Sequence, residues 1–344
     1  MTTETLKRYD RQIILPEIGL TGQRKLQDAK VLVIGAGGLG CPVLLYLAGA
    51  GIGKIGIVDD DLADLSNLHR QVLYNMADIG RKKAEVAAEK LKLLNPQIEV
   101  IPFSVRLTAE NAAGLIGQYD LVIDGSDNFP TRYLVNDTCV ALNKVLVFGS
   151  IYQFEGQVSV FNFNGGPDYR SIYPEAPLPE DTQNCGEGGV IGTLPGIIGS
   201  IMTNEAIKVI GGFGEVLSGQ LLIYNTLSND IQLFKFGKTN LKTTAENKKI
   251  LPPSVIPEIT VVQLKEWEEQ QIPYQLIDVR ETYEYEEFNI GGINIPLYSL
   301  NTRLNEVSAH KRIVFCCSMG KRSKMAIQLV KPVVKAELFS LILK

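Results

Sequence analysis

Two short apolar runs bracket a glycine-dense turn between Val31 and Arg70. Val31-Leu32-Val33-Ile34 leads into Gly35-Ala36-Gly37-Gly38-Leu39-Gly40, and Ile55 to Val58 ends at Asp59, nineteen residues after Gly40. Few folds accept this pattern. The first run reads as a buried strand, the glycines as a tight turn opening a helix, and the second run as a neighbouring strand that ends on a carboxylate. This layout seats a nucleotide phosphate on a helix N-terminus and its ribose on an acid. Val31 to Gly53 is also a stretch of 23 residues without a charge, long enough to span a bilayer. Seven of those residues are glycine, four of them grouped in a turn after the first apolar positions. Strand–turn–helix explains them and a membrane helix does not, so no membrane association is expected.

With 344 residues the chain is long enough for two domains and a sizeable core. Its apolar fraction of 45% and charged fraction of 21% are those of a soluble globular protein. A net charge of -4 argues against general nucleic-acid binding. Met1 to Asp10 shows no apolar secretory core. Five cysteines (Cys41, Cys139, Cys185, Cys316 and Cys317) are too few for a disulfide scaffold of this size and suggest a reducing compartment, so a cytoplasmic address is expected.

The first two-thirds alternates between β and α. Ala84, Ala87, Ala88, Leu91 and Leu94 recur at helical spacing before Asn95-Pro96. Strands are expected at 98–103, 121–123 and 145–148, and helices at 111–116 and 131–142. The fold class is therefore α/β, a doubly wound, mostly parallel Rossmann-like sheet with helices on both faces. Ligands in such sheets bind outside the carboxyl ends of the strands, where Asp59 to Asp61 and Asp124 to Asn128 would meet.

Those residues suit a polyphosphate. Transfer of the α-phosphoryl group of ATP needs cations around the phosphates and a carboxylate for Mg²⁺. Arg11, Arg70 and Lys83 are the candidate cations and Asp127 the candidate metal ligand. No G-x-x-x-x-G-K-[ST] element occurs, which excludes an ordinary P-loop. Each residue alone has a plainer reading: Arg11 or Lys83 as a solvated charge, and Asp127-Asn128 as the cap of the next helix. The combination with the glycine turn carries the case.

Arg8-Tyr9-Asp10-Arg11-Gln12, the turn Gly35 to Gly40, Ser66-Asn67-Leu68-His69-Arg70-Gln71 and Asp124-Gly125-Ser126-Asp127-Asn128 occur in that order. Together they resemble the MoeB/ThiF family, adenylating enzymes related to ubiquitin-activating enzymes, over roughly residues 5–236. The resemblance implies that the C-terminal Gly-Gly carboxylate of a ubiquitin-like sulfur carrier (MoaD/ThiS type) attacks the α-phosphorus of ATP. The products are a carrier acyl-adenylate and pyrophosphate. It implies further that Gly38 and Asp59 contact the nucleotide, with Asp59 on the ribose. Asn67, Arg70 and Lys83 would line the phosphates, Asp127 would hold Mg²⁺, and Arg11 would reach across a homodimer into the partner's site. Gly35, Gly37, Gly40, Asp61, Ser66 and Asn128 complete the candidate nucleotide contacts.

Residues 151–236 read as the carrier-binding part, with a strand at 157–163 and a buried helix at 194–210. Cys185, in Asn184-Cys185-Gly186-Glu187-Gly188-Gly189, matches the family's crossover segment, where a cysteine can join a sulfur relay. It reads equally well as a small residue in a glycine-rich loop. Many family members hold zinc with two C-x-x-C pairs. Here Asp168 to Ser171 and the region near 240 have no cysteine, so no zinc is expected.

The domains expected are 1–236 for adenylation, a polar, breaker-containing linker at 237–257, and a second small α/β unit at 258–344. In the last of these, a strand at 312–316 runs into Cys317-Ser318-Met319-Gly320-Lys321-Arg322-Ser323 and a helix at 324–330. A thiol in a loop at a helix N-terminus beside cations is activated as a thiolate, and loop N–H groups cradle an anion. Cys-x-x-Gly-x-Arg-Ser with the upstream Asp278-Val279-Arg280-Glu281 resembles a rhodanese domain, which implies that Cys317 carries sulfur as a persulfide; Cys316 faces the core. A phosphatase loop is the competing reading, but such loops are typically one residue longer and no separate general acid is visible. The family normally adds another strand, a turn and a closing helix, so the apolar end Leu341-Ile342-Leu343-Lys344 reads as a truncation. Pro332 also interrupts the helix after the loop.

Joined, the two parts describe an adenylyltransferase that passes sulfur from Cys317, with Cys185 as a possible second thiol, to make a carrier thiocarboxylate for molybdopterin or thiazole synthesis or tRNA thiolation. An NAD(P)-dependent oxidoreductase using the same glycine turn, and a non-catalytic scaffold for a ubiquitin-like protein, are the rival classes.

Overall fold

A computed structural model describes residues 2–175, 189–237, 256–307, 311–318, 320–331 and 334–343. The chain divides into two compact units, Met1–Leu241 and Lys242–Lys344. Among the described residues no helix is long and apolar enough to cross a membrane.

The helices of the first unit are α1 (Thr3–Arg8), α2 (Asp10–Ile13), α3 (Gly19–Asp28), α4 (Gly40–Ala50), α5 (Lys83–Leu94), α6 (Ala109–Ile116), α7 (Phe129–Ala141) and α8 (Leu194–Gly211). Its strands are β1 (Lys30–Ile34), β2 (Lys54–Val58), β3 (Glu99–Phe103), β4 (Leu121–Asp124), β5 (Val145–Tyr152), β6 (Glu155–Phe161), β7 (Gln220–Asn225) and β8 (Asp230–Lys235). They form one sheet in the order β3-β2-β1-β4-β5-β6-β7-β8. The pairs from β3 through β5 are parallel, as the strand–helix alternation requires. The rest is antiparallel, because β5 turns back at Gln153-Phe154, with Gln153 at φ 51°. The strand expected at 157–163 thus starts and ends earlier, and β7 and β8 have no counterpart in the sequence reading.

Side chains of β1 alternate between two cores, as a strand buried on both faces must. Val31 and Val33 pack with Leu44 and Leu47 of α4, Leu91 of α5 and Met202 of α8. Leu32 and Ile34 pack with Ile116 of α6, Tyr133 of α7 and Phe148. With helices on both faces, the glycine turn is left at the carboxyl edge of the sheet.

The second unit holds β9 (Glu258–Ile259), α9 (Val261–Glu269), β10 (Gln275–Asp278), α10 (Thr282–Glu287), β11 (Ile293–Asn294), β12 (Arg312–Cys317), α11 (Lys321–Val330) and β13 (Glu337–Ile342). Its sheet is parallel throughout, in the order β11-β10-β12-β13-β9. The apolar end that reads as a truncation belongs to β13, a central strand paired with β12 and β9. Of the strand, turn and closing helix that the rhodanese resemblance calls for, the described residues therefore hold the strand and no helix after it. A central parallel strand is apolar on both faces, which is why it resembles a severed core in sequence. The expected linker lies almost wholly outside the described residues, as does Pro332.

Candidate functional site

The turn after β1 is held from several sides. Gly35 adopts φ +88° and donates its N–H to Val58 O at 2.8 Å. A Cβ at Gly40 would stand 2.0 Å from Gly35 O, so only glycine lets α4 start this close to the turn. Asp59, at the end of β2, accepts the Ala36 N–H at 2.7 Å and the Asp61 N–H at 2.9 Å. Burial lifts its carboxyl above the usual range, opposed by those two N–H groups and by Lys83. The Tyr74 hydroxyl donates to Ala36 O at 2.8 Å. The carboxylate expected on the ribose thus also locks the turn.

A cleft of about 650 Å³ opens above this turn, a size typical of small-molecule sites. It gathers most of the expected residues: Gly35, Gly37, Gly38, Asp59, Asp61, Ser66, Arg70, Lys83, Asp127 and Asn128 all line it. Gly37 and Gly38 stand just before α4, whose first turn leaves N–H groups without intrahelical partners. Asn128 caps α7 by accepting the Thr131 N–H at 3.0 Å. Two of the expected nucleotide contacts are not among the lining: Gly40, which acts through the backbone approach described above, and Asn67, whose amide donates to Ser66 Oγ at 3.4 Å. Of the three expected cations, Arg70 and Lys83 line the cleft, and both are held. Lys83 is buried, with Nζ 2.8 Å from Asp61 Oδ2. Arg70 Nη1 donates to Ser66 O at 3.1 Å and lies 3.4 Å from His69 Nε2.

Sequence reasoning missed Arg132, Gln71 and Arg106, which also line the cleft. Arg132 sits in the first turn of α7, five residues after Asp127, 7% exposed, with its guanidinium 5.4 Å from the Phe129 ring and 5.5 Å from the Phe148 ring. Its Nη2 donates to Ser126 O at 3.1 Å. Arg132 Nε, Gln71 Oε1 and Ser126 Oγ are buried and have no hydrogen-bond partner among the described residues. Buried polar atoms left so are costly. Here all three belong to residues lining one cleft, beside Arg70 and Lys83, which suits an anionic ligand rich in acceptors and hydroxyls. Asp127 on the cleft wall, with phosphate oxygens of a ligand, is the sparse donor set that Mg²⁺ accepts.

Arg11 is elsewhere. Tyr9 and Gln12 dock the N-terminal motif on the far end of α4: the Tyr9 hydroxyl accepts from Asn95 Nδ2 at 2.8 Å, and Gln12 Nε2 donates to Ala50 O at 3.2 Å. Arg11 is left exposed on α2. At 1.5 Å per residue, α4 separates it from the glycine turn of its own chain by roughly 15 Å. Cys185 lies outside the described residues. Among the described residues no three His, Cys, Asp or Glu side chains gather as a metal-holding group.

In the second unit the expected thiol loop is corrected in one respect. Cys317 is the last residue of β12 and only 1% exposed. Its Sγ accepts the Ser323 N–H from the first turn of α11 at 3.4 Å. Cys316 faces the opposite core, where burial pushes its thiol up. Asp278 and Arg280 form a buried pair, with Nη2 2.6 Å from Oδ2. Arg322 grips Glu284 of α10 with both terminal nitrogens, Nη2 to Oε1 at 2.8 Å and Nη1 to Oε2.

Comparison with known proteins is consistent with both units. Residues 9–245 match the ThiF family and residues 260–340 the rhodanese-like domain. A probable molybdopterin-synthase adenylyltransferase of Porphyra purpurea is 43% identical over 341 residues, covering 95% of this chain and 89% of that protein. The probable adenylyltransferase/sulfurtransferase MoeZ of Mycobacterium tuberculosis is 42% identical over 351 residues, covering 96% and 89%. The crystal structure of Escherichia coli MccB with ATP shares the fold, with a TM-score of 0.61 at 22% identity over 68% of this chain and 73% of that one.

Proposed function

The chain belongs to the ThiF family and carries a rhodanese-like domain, and from that premise we propose that it adenylylates the C-terminal glycine carboxylate of a ubiquitin-like sulfur carrier and supplies the sulfur that converts it to a thiocarboxylate. One observation carries the first half: Arg70, Lys83 and Arg132, with the unpartnered polar atoms of Gln71 and Ser126, converge over a glycine turn with Asp127 on the same cleft. Such a site favours an enzyme over a scaffold.

The chemistry needs little acid–base assistance. A carboxylate is already ionised near pH 7, so the site must bring it in line with the α-phosphorus and neutralise charge as pyrophosphate departs. The first turn of α4 takes the phosphates, Arg70 and Lys83 follow the charge that moves onto the leaving group, and Arg132 fixes the Ser126-Asp127 turn through Ser126 O. Asp127 would hold Mg²⁺, which supplies further charge neutralisation on the phosphates. Arg11, too far from its own cleft, fits a role in the site of a second copy, and a homodimer is part of this reading.

The second half rests on Cys317. Its persulfide attacks the acyl-adenylate carbonyl and AMP leaves, giving an acyl disulfide. A second thiolate, for which Cys185 is the candidate, then attacks the Cys317 sulfur: the thiocarboxylate leaves with the electron pair, and the Cys185–Cys317 disulfide so formed is reduced by an external dithiol before the next turnover. Molybdopterin synthesis is the destination that the algal relative's name favours.

Intact-mass spectrometry of Gly-Gly-ended carriers incubated with the chain and MgATP, with and without a sulfur donor, tests both halves. An AMP adduct establishes adenylylation. Conversion to thiocarboxylate, lost in Cys317→Ala, establishes the relay. No pyrophosphate release with any carrier would overturn the proposal.

A further inference from the structure

Ser340 lies on β13, away from the motif that ends at Ser323, and its side chain is fully buried. Its Oγ stands 2.8 Å from Ser323 Oγ. Ser323 Oγ stands in turn 3.5 Å from Cys317 Sγ and donates to Gly320 O at 2.9 Å. A serine hydroxyl has one hydrogen and two acceptor sites. With Cys317 as a thiol, the S–H donates to Ser323 Oγ, and the Ser340 hydroxyl has that same oxygen within reach. As a thiolate the sulfur can only accept. Its neighbours are then the Ser323 N–H at 3.4 Å and the Ser323 hydroxyl, whose one hydrogen turns from Gly320 O to the sulfur. A hydroxyl that accepts a hydrogen bond becomes a better donor, and in a buried site that difference is felt strongly.

We propose that Ser340 is a positioning residue for Cys317: by donating to Ser323 Oγ it strengthens the hydroxyl that stabilises the sulfur anion. The inference rests on the reading of Cys317 as the sulfur acceptor. In the step served, the Cys317 thiolate attacks the outer sulfur of a donor persulfide R–S–SH. A sulfur–sulfur bond forms on Cys317 and the donor's sulfur–sulfur bond breaks. R–S⁻ leaves with the electron pair, and the transferred sulfur keeps its proton, so no other oxidant or reductant takes part.

Valine and threonine differ at this position only by a methyl in place of the hydroxyl, which makes Ser340→Val and Ser340→Thr the informative pair in the full chain. Iodoacetamide labelling of Cys317 across pH, resolved from Cys316 by fragmentation mass spectrometry, reads thiolate directly. The expected result is a labelling midpoint about one pH unit higher in Ser340→Val, with labelling roughly tenfold slower near neutral pH, and a profile restored toward the parent in Ser340→Thr. Persulfidation by a small-molecule persulfide should fall in step. Superimposable profiles for the Val and Thr variants, both folded by melting curve, would overturn the proposal. A parent chain that takes no sulfur at Cys317, while the labelling pair still differs, would overturn the acceptor reading and leave the hydroxyl relay standing.

Discussion

Lys83 sets its ammonium 2.8 Å from Asp61, and the two side chains are 5% and 69% exposed. A buried cation needs a partner, but this partner is solvated and easily released to water. Lys83 can therefore exchange Asp61 for a phosphate oxygen when a nucleotide enters. Lys83→Met should lower the adenylylation kcat by about 10²–10³-fold, the usual loss for one preorganised charge-stabilising group. Asp61→Asn should stay within about tenfold, with the ATP KM unchanged or lower because a competitor is gone. Pyrophosphate-release kinetics decide it, and an Asp61→Asn as damaged as Lys83→Met would make Asp61 itself a nucleotide or metal ligand.

Arg70 and Asp127 line the same cleft. If both act on the transferring phosphoryl group, Arg70→Ala or Asp127→Ala should depress adenylylation by about 10²-fold or more. Carrier affinity, measured by calorimetry without ATP, should stay within a fewfold of the parent. Equal loss of turnover and carrier binding would move these residues to the docking surface.

Two glycines of one helix should respond in opposite directions. A Cβ at Gly40 meets Gly35 O at 2.0 Å, whereas a Cβ at Gly49 meets nothing within 4 Å. Gly40→Ala must push the turn or the helix aside, with an expected cost of about 3 kcal/mol or more and loss of ATP binding. Gly49→Ala trades backbone freedom for helix propensity, worth about 0.5–1 kcal/mol, and should raise the melting temperature of the first unit by a few degrees. Thermal melts of the two variants check both signs.

The glycine turn, Asp59 and the parallel strand–helix alternation were legible because glycine, short apolar runs and strand-end acids each have one favoured place in an α/β sheet. β8 was not legible: all of Asp230–Lys235 but one residue is exposed, so the strand lacks the inside–outside alternation that marks a half-buried one. Arg132 was hidden within the pattern of α7, since nothing in a helical repeat distinguishes a buried arginine held between two phenylalanine rings from a surface one. The burial of Lys83 and of Cys317 depends on what the tertiary fold packs over them. The strand character of β13 was missed for the opposite reason, as its apolar run is central to the sheet but stands at the end of the sequence.

Glu284 and Arg322 give the second unit an acid-sensitive brace. Burial alone would lift the Glu284 carboxyl, but the two-pronged Arg322 contact and the Glu281 N–H more than offset it and hold the group below the usual carboxylate range. A lowered folded-state value means stabilisation that is fully present above the unfolded value of about 4.3 and lost as pH falls through the folded one. Arg322 and Glu284 are partly exposed, at 28% and 20%, so the worth of the pair lies between the surface and buried limits, about 1–2 kcal/mol. Trp267 is the only tryptophan of the chain, packs on Phe339 with ring centres 5.0 Å apart, and reports on this unit alone. Denaturation followed by its fluorescence should show Glu284→Gln destabilised near neutral pH and level with the parent once pH has fallen below the folded value. A variant whose deficit is the same at every pH would mean that the carboxylate charge is not what holds Arg322.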